Sequence, residues 1–436
     1  MLAVVLAVAG VLYLAHQYLH SPEFEQRLSR SARDVLGSEV RIGDVQISLF
    51  QGVVIRNLGV ANPPGVDGEL FSVEEVELRI RLLPLLSRRV EVDRFRLRNL
   101  NVRLVPVEDG RWNFEALSGL ETDGKAAGGA VRAEQAGFDF AFSDFSVEGA
   151  GITMLNGRGE EVTRVENLDL SGVVEMAGEE WSGAGSVRME SLSLGEAATI
   201  SDLEAPVSIS RQEILLNPVT ATLAGGRVSG EIALRLVPEF KYLIDLEIAD
   251  ADVSGLLEEA RTAVGLTGRL RSSLDVEGRA GLPTVTGSGE VQVEGGKLSG
   301  FAVQSVLARF LNVPELNEIE FTECRMEFTV ADNVLETTSI RLLSPLLEFT
   351  GQGVVTLPEA LLDHNVTLAL RGDLLEILPP ALLRAFETRE DGFRAIPFRV
   401  WGPMGAPQTD LSDRIVEGAV SPALEEGLER LRELFR

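Results

Sequence analysis

The chain has 436 residues, is 45% hydrophobic, and carries 40 Lys plus Arg against 67 Asp plus Glu, a formal charge of -27. A surface this acidic repels phosphate backbones and anionic lipid headgroups, which sets nucleic acid aside as a partner. Cys324 is the single cysteine, so no intramolecular disulfide and no cysteine-based metal site can form, and among His16, His20 and His364 only the last lies in the body of the chain.

Residues 1–20 read MLAVVLAVAGVLYLAHQYLH, an apolar run that Tyr18 and Leu19 extend to the length needed to cross hydrocarbon. Tyr13 and Tyr18 suit an interfacial belt, no basic residue precedes the run, and no small-x-small cleavage pattern follows it. An uncleaved transmembrane anchor is expected. Its orientation stays open. Arg27, Arg30 and Arg33 follow it, but large domains translocate against such a bias.

Residues 21–118 begin with a short helix, capped by Ser21, started by Pro22 and ended by Gly37. Strands follow. In SVEEVELRIRLL, Val76, Leu78, Ile80 and Leu82 share one face, while Glu75, Glu77, Arg79 and Arg81 take the other. Phase slips near Arg94 and Asn99 predict bulges. The module closes on DGRWNF, a turn at Asp109-Gly110 with Trp112 and Phe114 two apart. Residues 119–137 are small and polar and read as a linker. Strands with Gly or Asn-Gly turns resume over 138–280 and 281–410, the latter holding Val366, Leu368 and Leu370 in alternation. Helical patterns interrupt at 252–265, 300–313 and 373–386. The stretch 411–436 ends in an amphipathic helix, with Ser421 as cap, Pro422 at the first position, and Leu424, Leu428, Leu431 and Phe435 on one face.

The fold class that follows is mainly β. It comprises a transmembrane helix, then a long, curled antiparallel sheet with one apolar face and a few short helices. A parallel sheet would need a helix between successive strands. The apolar face must be covered by a second sheet, by closure into a barrel, or by ligand, and periodicity does not choose among these.

Catalytic signals are missing from the pattern. There is no G-x-S-x-G elbow, HExxH, Walker loop or G-x-G-x-x-G, and Gly287-Ser288-Gly289 reads as a hairpin edge. His364 opens an alternating strand and reads as a surface or turn residue, and Cys324 as a strand residue. Acidic pairs such as Glu160-Glu161 and Glu425-Glu426 read as solvated surface. No enzyme, metal or cofactor is expected.

LGSEVRIGDVQISLFQGVVIRNLGVANPPG, then LLPLLSRRVEVDRFRLRNLNVRLVPVEDGRWNFEAL, resemble the AsmA-like family of bacterial envelope proteins. GSGEVQVEGGKLSGFAVQSVLARFL resembles a hairpin with its following helix in that family. FTECRMEFTVADNVLETTSIRLLSPLLEFTGQGVVTLPEALLDHNVTLAL and IPFRVWGPMGAPQTDLS resemble its C-terminal pattern, with Asn333 where a Gly often follows Asp. The resemblance implies an inner-membrane anchor, a periplasmic body and an apolar groove that holds phospholipid in support of outer-membrane biogenesis. At about 4.8 Å per strand, roughly two dozen strands in one sheet would reach on the order of 100 Å. The groove candidates are Val76, Leu78, Ile80, Leu82, Val366, Leu368 and Leu370. The alternative is an anchored assembly factor that offers a strand edge to an envelope or outer-membrane protein.

Overall fold

The computed structural model describes residues 38–419, except 49–51, 64, 82–88, 108–111, 115–138, 178–179, 237–240, 260–264, 280–284, 301–307, 309–312, 358, 379 and 405. The expected anchor, its following helix, the linker 119–137 and the helix from Ser421 lie outside the described residues, as does most of 300–313. Among the described residues no helix is long and apolar enough to cross a membrane. The fold is mainly β, with 22 strands among the described residues. Two compact units divide the chain, Met1–Thr222 with Ala233–Glu239, and Leu223–Ile232 with Phe240–Arg436.

In the first unit, β1 (Val40–Arg41) and β2 (Val45–Ser48) both pair with β3 (Gly52–Ala61). The sheet continues through β4 (Glu69–Arg81), β5 (Arg89–Leu104), β6 (Asp139–Leu155), β7 (Glu161–Ala177), β8 (Glu180–Leu194) and β9 (Ala198–Ser210). Neighbours are antiparallel with one exception. β5 and β6 run parallel, with Arg89 opposite Asp139 and Leu104 opposite Met154. This corrects the uniformly antiparallel expectation. A strand of 16 residues is about 50 Å long, and residues 105–138 are enough chain to carry it back to its starting end.

The start of that return is pinned by a buried amide. Asn113, fully buried, donates from Nδ2 to Asn62 Oδ1 (2.7 Å) and to the Arg103 carbonyl (2.8 Å). Its backbone N–H reaches the Val105 carbonyl at 2.9 Å, and its Oδ1 accepts from the Val105 N–H at 3.1 Å. Asn62 in turn donates to the Asp67 carbonyl at 3.1 Å. Asn113 of DGRWNF therefore fastens the end of β5 to the β3–β4 turn.

The strands share a second device. Asn57 in β3, Asn99 in β5, Asn167 in β7 and Asp202 in β9 have φ between 49° and 55°, and Gly149 in β6 has φ 63°. Asn and Asp tolerate this left-handed region better than other residues with a Cβ. Pairing jumps over these positions. Arg56 faces Glu75 and Leu58 faces Val73; Glu166 faces Ser191 and Leu168 faces Met189. The Asn99 and Asn167 amides donate to Glu74 and Glu190 on the adjacent strands. Each break shifts the alternation by one residue, as the slip near Asn99 predicted, so the apolar side chains before and after it lie on the same face.

The division between units falls within β10 (Glu213–Leu223) and β11 (Gly226–Arg235). In the second unit, β12 (Lys241–Asp252) leads into α1 (Val253–Glu259). Then come β13 (Gly265–Leu266), β14 (Arg269–Gly278), β15 (Thr286–Ser299) and β16 (Glu318–Ala331), followed by β17 (Val334–Leu343), β18 (Leu347–Thr356) and β19 (Leu361–Leu370). α2 (Asp373–Ile377), α3 (Pro380–Leu383), β20 (Glu387–Thr388), β21 (Arg394–Pro403), β22 (Gln408–Thr409) and α4 (Leu411–Ala419) close the described chain. β12 pairs β14, and an antiparallel meander runs from β14 to β19 and on to β21. EVQVEGGKLS is one strand rather than the expected hairpin. Gly295, at φ 55°, takes the same phase slip inside β15 without reversing it.

Asn113→Ala leaves Asn62 Oδ1, the Arg103 carbonyl and the Val105 N–H unpaired and is expected to cost about 3 kcal/mol in urea unfolding. Phe114→Ala, at a residue 36% exposed, should stay within about 1 kcal/mol. Equal effects of the two would show that the amide is not the fastening.

Candidate functional site

The phase slip makes the apolar face of the first unit a lattice. Across β3 to β9, Ile55, Val76, Leu97, Val147, Leu170, Val187 and Ala205 face one another in succession. The adjacent row runs Val53, Leu78, Phe95, Phe145, Gly172, Gly185 and Val207, with the two phenylalanine rings stacked at 5.8 Å. Beyond the slip another row runs Val60, Phe71, Val102, Ile152, Val165, Leu192 and Ile200. None of these rows contains a polar side chain. Most of their members, Val76, Leu97, Leu170 and Val187 among them, are only half-buried.

The opposite face explains why the lattice is apolar on one side only. Glu75 lies between Arg98 (2.7 Å) and Arg56 (3.2 Å), Arg96 and Arg98 reach Glu148 at 3.0 and 3.3 Å, and Arg94 reaches Asp144 at 2.9 Å. Exposed pairs of this kind contribute at most about 1 kcal/mol each. Their greater effect is to commit that face to water.

Of the residues singled out from sequence, Val76 and Leu78 lie in these rows, half-buried. Ile80 faces Val92 across β4 and β5, while its side chain and Leu82 lie outside the described residues. Val366, Leu368 and Leu370 belong to the second unit and to a different environment. They are 4%, 2% and 1% exposed in a core that includes Leu374, Phe386, Leu411 and Ile415. The structure therefore brings Val76 and Leu78 together with the rows of β3 to β9, and places Val366, Leu368 and Leu370 against helices.

Sequence reasoning missed two features. The row of left-handed residues had a signal in the recurrent Asn-Leu or Asp-Leu pairs at 57, 99, 167 and 202. The other is His364, which is not a surface or turn residue. It is 7% exposed on the same face of β19 as Val366 and Leu368, with Nε2 at 3.3 Å from Thr337 Oγ1 and Nδ1 unpartnered. Gly353 on β18 makes room for it, since a Cβ there would lie 2.5 Å from the His364 Cα. Burial lowers its pKa, against a smaller opposing pull from Asp363. Asp363 itself is held below the usual carboxylate range, chiefly by its hydrogen bond with Arg399. Cys324, on the apolar face of β16, has its thiol pushed up to about 11, first by burial and then by Glu323. Among the described residues no group of three or more His, Cys, Asp or Glu is arranged to hold a metal ion.

The model of the AsmA family matches residues 1–184, from the N-terminus into β8. Over those residues the chain is similar to the AsmA family. No curated protein matches it. The AsmA match covers the signature strands, the Asn62–Asn113 fastening and most of the apolar lattice, and ends before the second unit.

Two titrations follow from these environments. Cys324 should resist maleimide at neutral pH in the folded chain and react fully in urea, because only the thiolate is nucleophilic. Fast labelling of the folded protein would contradict its placement. The unfolded chain takes up a proton on His364 near the ordinary value of 6.5, whereas the folded chain resists it until lower pH. Its contribution to stability is therefore complete above that value and is lost as pH falls below it, with a slope of at most about 1.4 kcal/mol per pH unit. His364→Leu should flatten the urea midpoint between neutral and mildly acidic pH, and an unchanged slope would refute the assignment.

Proposed function

We propose that this chain is a single-pass inner-membrane protein with a periplasmic body. It holds phospholipid acyl chains on the apolar face of its first unit and supports lipid transport and outer-membrane biogenesis without enzymatic chemistry. The observation that carries this reading is the half-buried apolar lattice of β3 to β9. Seven strands at about 4.8 Å span about 30 Å, as wide as the hydrocarbon core of a bilayer, and strands of 15–17 residues add about 50 Å in the other direction. Soluble monomers rarely leave a contiguous apolar patch above a few hundred Å². Acyl chains suit such a face because they bring no polar group that would need a partner there. The ionic opposite face supports the same reading, since it keeps the other side of the sheet in water.

The alternative, an assembly factor that pairs its strand edge with a client, is less well supported at the edge of the second unit. β20 and β22 cover the two ends of β21, Pro397 has no N–H, and the Arg399 N–H donates to Asp410 Oδ1 at 2.6 Å. Little of that edge remains to template another strand.

Lipid extracted from the purified full chain should contain phospholipid. Leu97→Asp and Leu170→Asp place a charge in the lattice and should strip most of that lipid, with the β signal in circular dichroism retained. Thr329→Asp, on the polar face of the second unit, should leave it unchanged. Equal lipid content in all variants would overturn the proposal.

A further inference from the structure

We infer that the second unit is a stop for acyl chains, its own helices occupying one end of the apolar face; this rests on the acyl-chain reading of the first unit. Along the strands of this unit the face changes character. At one end Leu274 and Phe328 are half-buried, like the lattice of β3 to β9. At the other, Val293, Phe321, Leu368 and Ile396 are 2–4% exposed.

The difference has an identifiable cause. Leu374 of α2, Leu378 just after it, Phe386, and Leu411 and Ile415 of α4 are 1–4% exposed and share one hydrophobic core with those strand residues. Methylene and methyl groups of leucine and isoleucine present the same surface to the sheet that an acyl chain would present. The core is close-packed, so chain and helix exclude one another. Cys324 stands at the boundary, packed against the core while Met326 and Phe328 continue beyond it on the same strand. Beyond that boundary, the row of Phe328 continues through Thr337, Gly353 and His364, and Thr337 and His364 are the polar pair of the face. A hydrocarbon chain gains nothing from the unpartnered His364 nitrogen, so the pair adds a polar margin to the filled end.

Photocrosslinking in the full chain tests the stop. Phe328→p-benzoyl-phenylalanine and Phe398→p-benzoyl-phenylalanine keep an aromatic side chain at the half-buried end and at the filled end, and Thr329→p-benzoyl-phenylalanine probes the polar face. Cells grown on radiolabelled phosphate supply labelled phospholipid, and covalent label is read on the denatured protein. Label is expected at Phe328, with Phe398 at the background of Thr329. Label at Phe398 equal to that at Phe328 would overturn the stop and leave the acyl-chain reading standing. Label at neither position, together with lipid-free protein, would sink both. Leu411→Ala with Ile415→Ala in the Phe398 background should bring label to that position, and failure to gain it while Phe328 remains labelled would overturn the role of the helices.

Discussion

Every strand from β3 to β9 must keep its apolar residues on one side across a break in alternation that left-handed residues of β3, β5, β6, β7 and β9 create, and the first unit depends on the breaks lying in register. A one-residue shift in a single strand would turn the rest of its side chains to the opposite face. With Asn57, Asn99, Asn167 and Asp202 on alternate strands, and Glu74, Gly149 and Glu190 between them, the shift is taken by all the strands together. The reward is a face whose transverse rows stay apolar on both sides of the break. The cost is left-handed backbone at residues with a Cβ, which Asn and Asp bear better than most. The cross-strand amide bonds from Asn99 and Asn167 to Glu74 and Glu190 hold it there.

The same lattice principle gives different results in the two units because of what lies over it. Strand residues of the first unit are half-buried by their own neighbours. In the second, helices that follow β19 and β22 fold onto the face and bring its residues to 1–4% exposure. Burial of this kind is the ordinary way to finish a one-sided sheet. Its restriction to one end of the second unit is what separates a surface for binding from a surface already filled.

Polar atoms on or near the apolar side are few and placed with purpose. Asn113 and Asn62 satisfy one another and the surrounding backbone, so they fix the crossover after β5 at little electrostatic cost. His364 is the contrasting case, bonded at one nitrogen and unpartnered at the other, which makes its neutral form the one the fold selects.

Strand alternation, the acidic surface, the phase slip near Asn99 and the signature stretches of the AsmA-like family were all readable in the sequence, because each is a local pattern of residue types. Val76 and Leu78 could be assigned to an apolar face for that reason. The same alternation placed Val366, Leu368 and Leu370 on an apolar face too, and only the tertiary structure decided that helices cover them, since covered and uncovered faces share one periodicity. The parallel pairing of β5 with β6 was hidden because strand direction depends on the path of residues 105–138 rather than on the composition of either strand. His364 was misread because an imidazole has no period of its own. Its burial comes from Gly353 and Thr337, which the chain places far from it in sequence and the sheet places beside it.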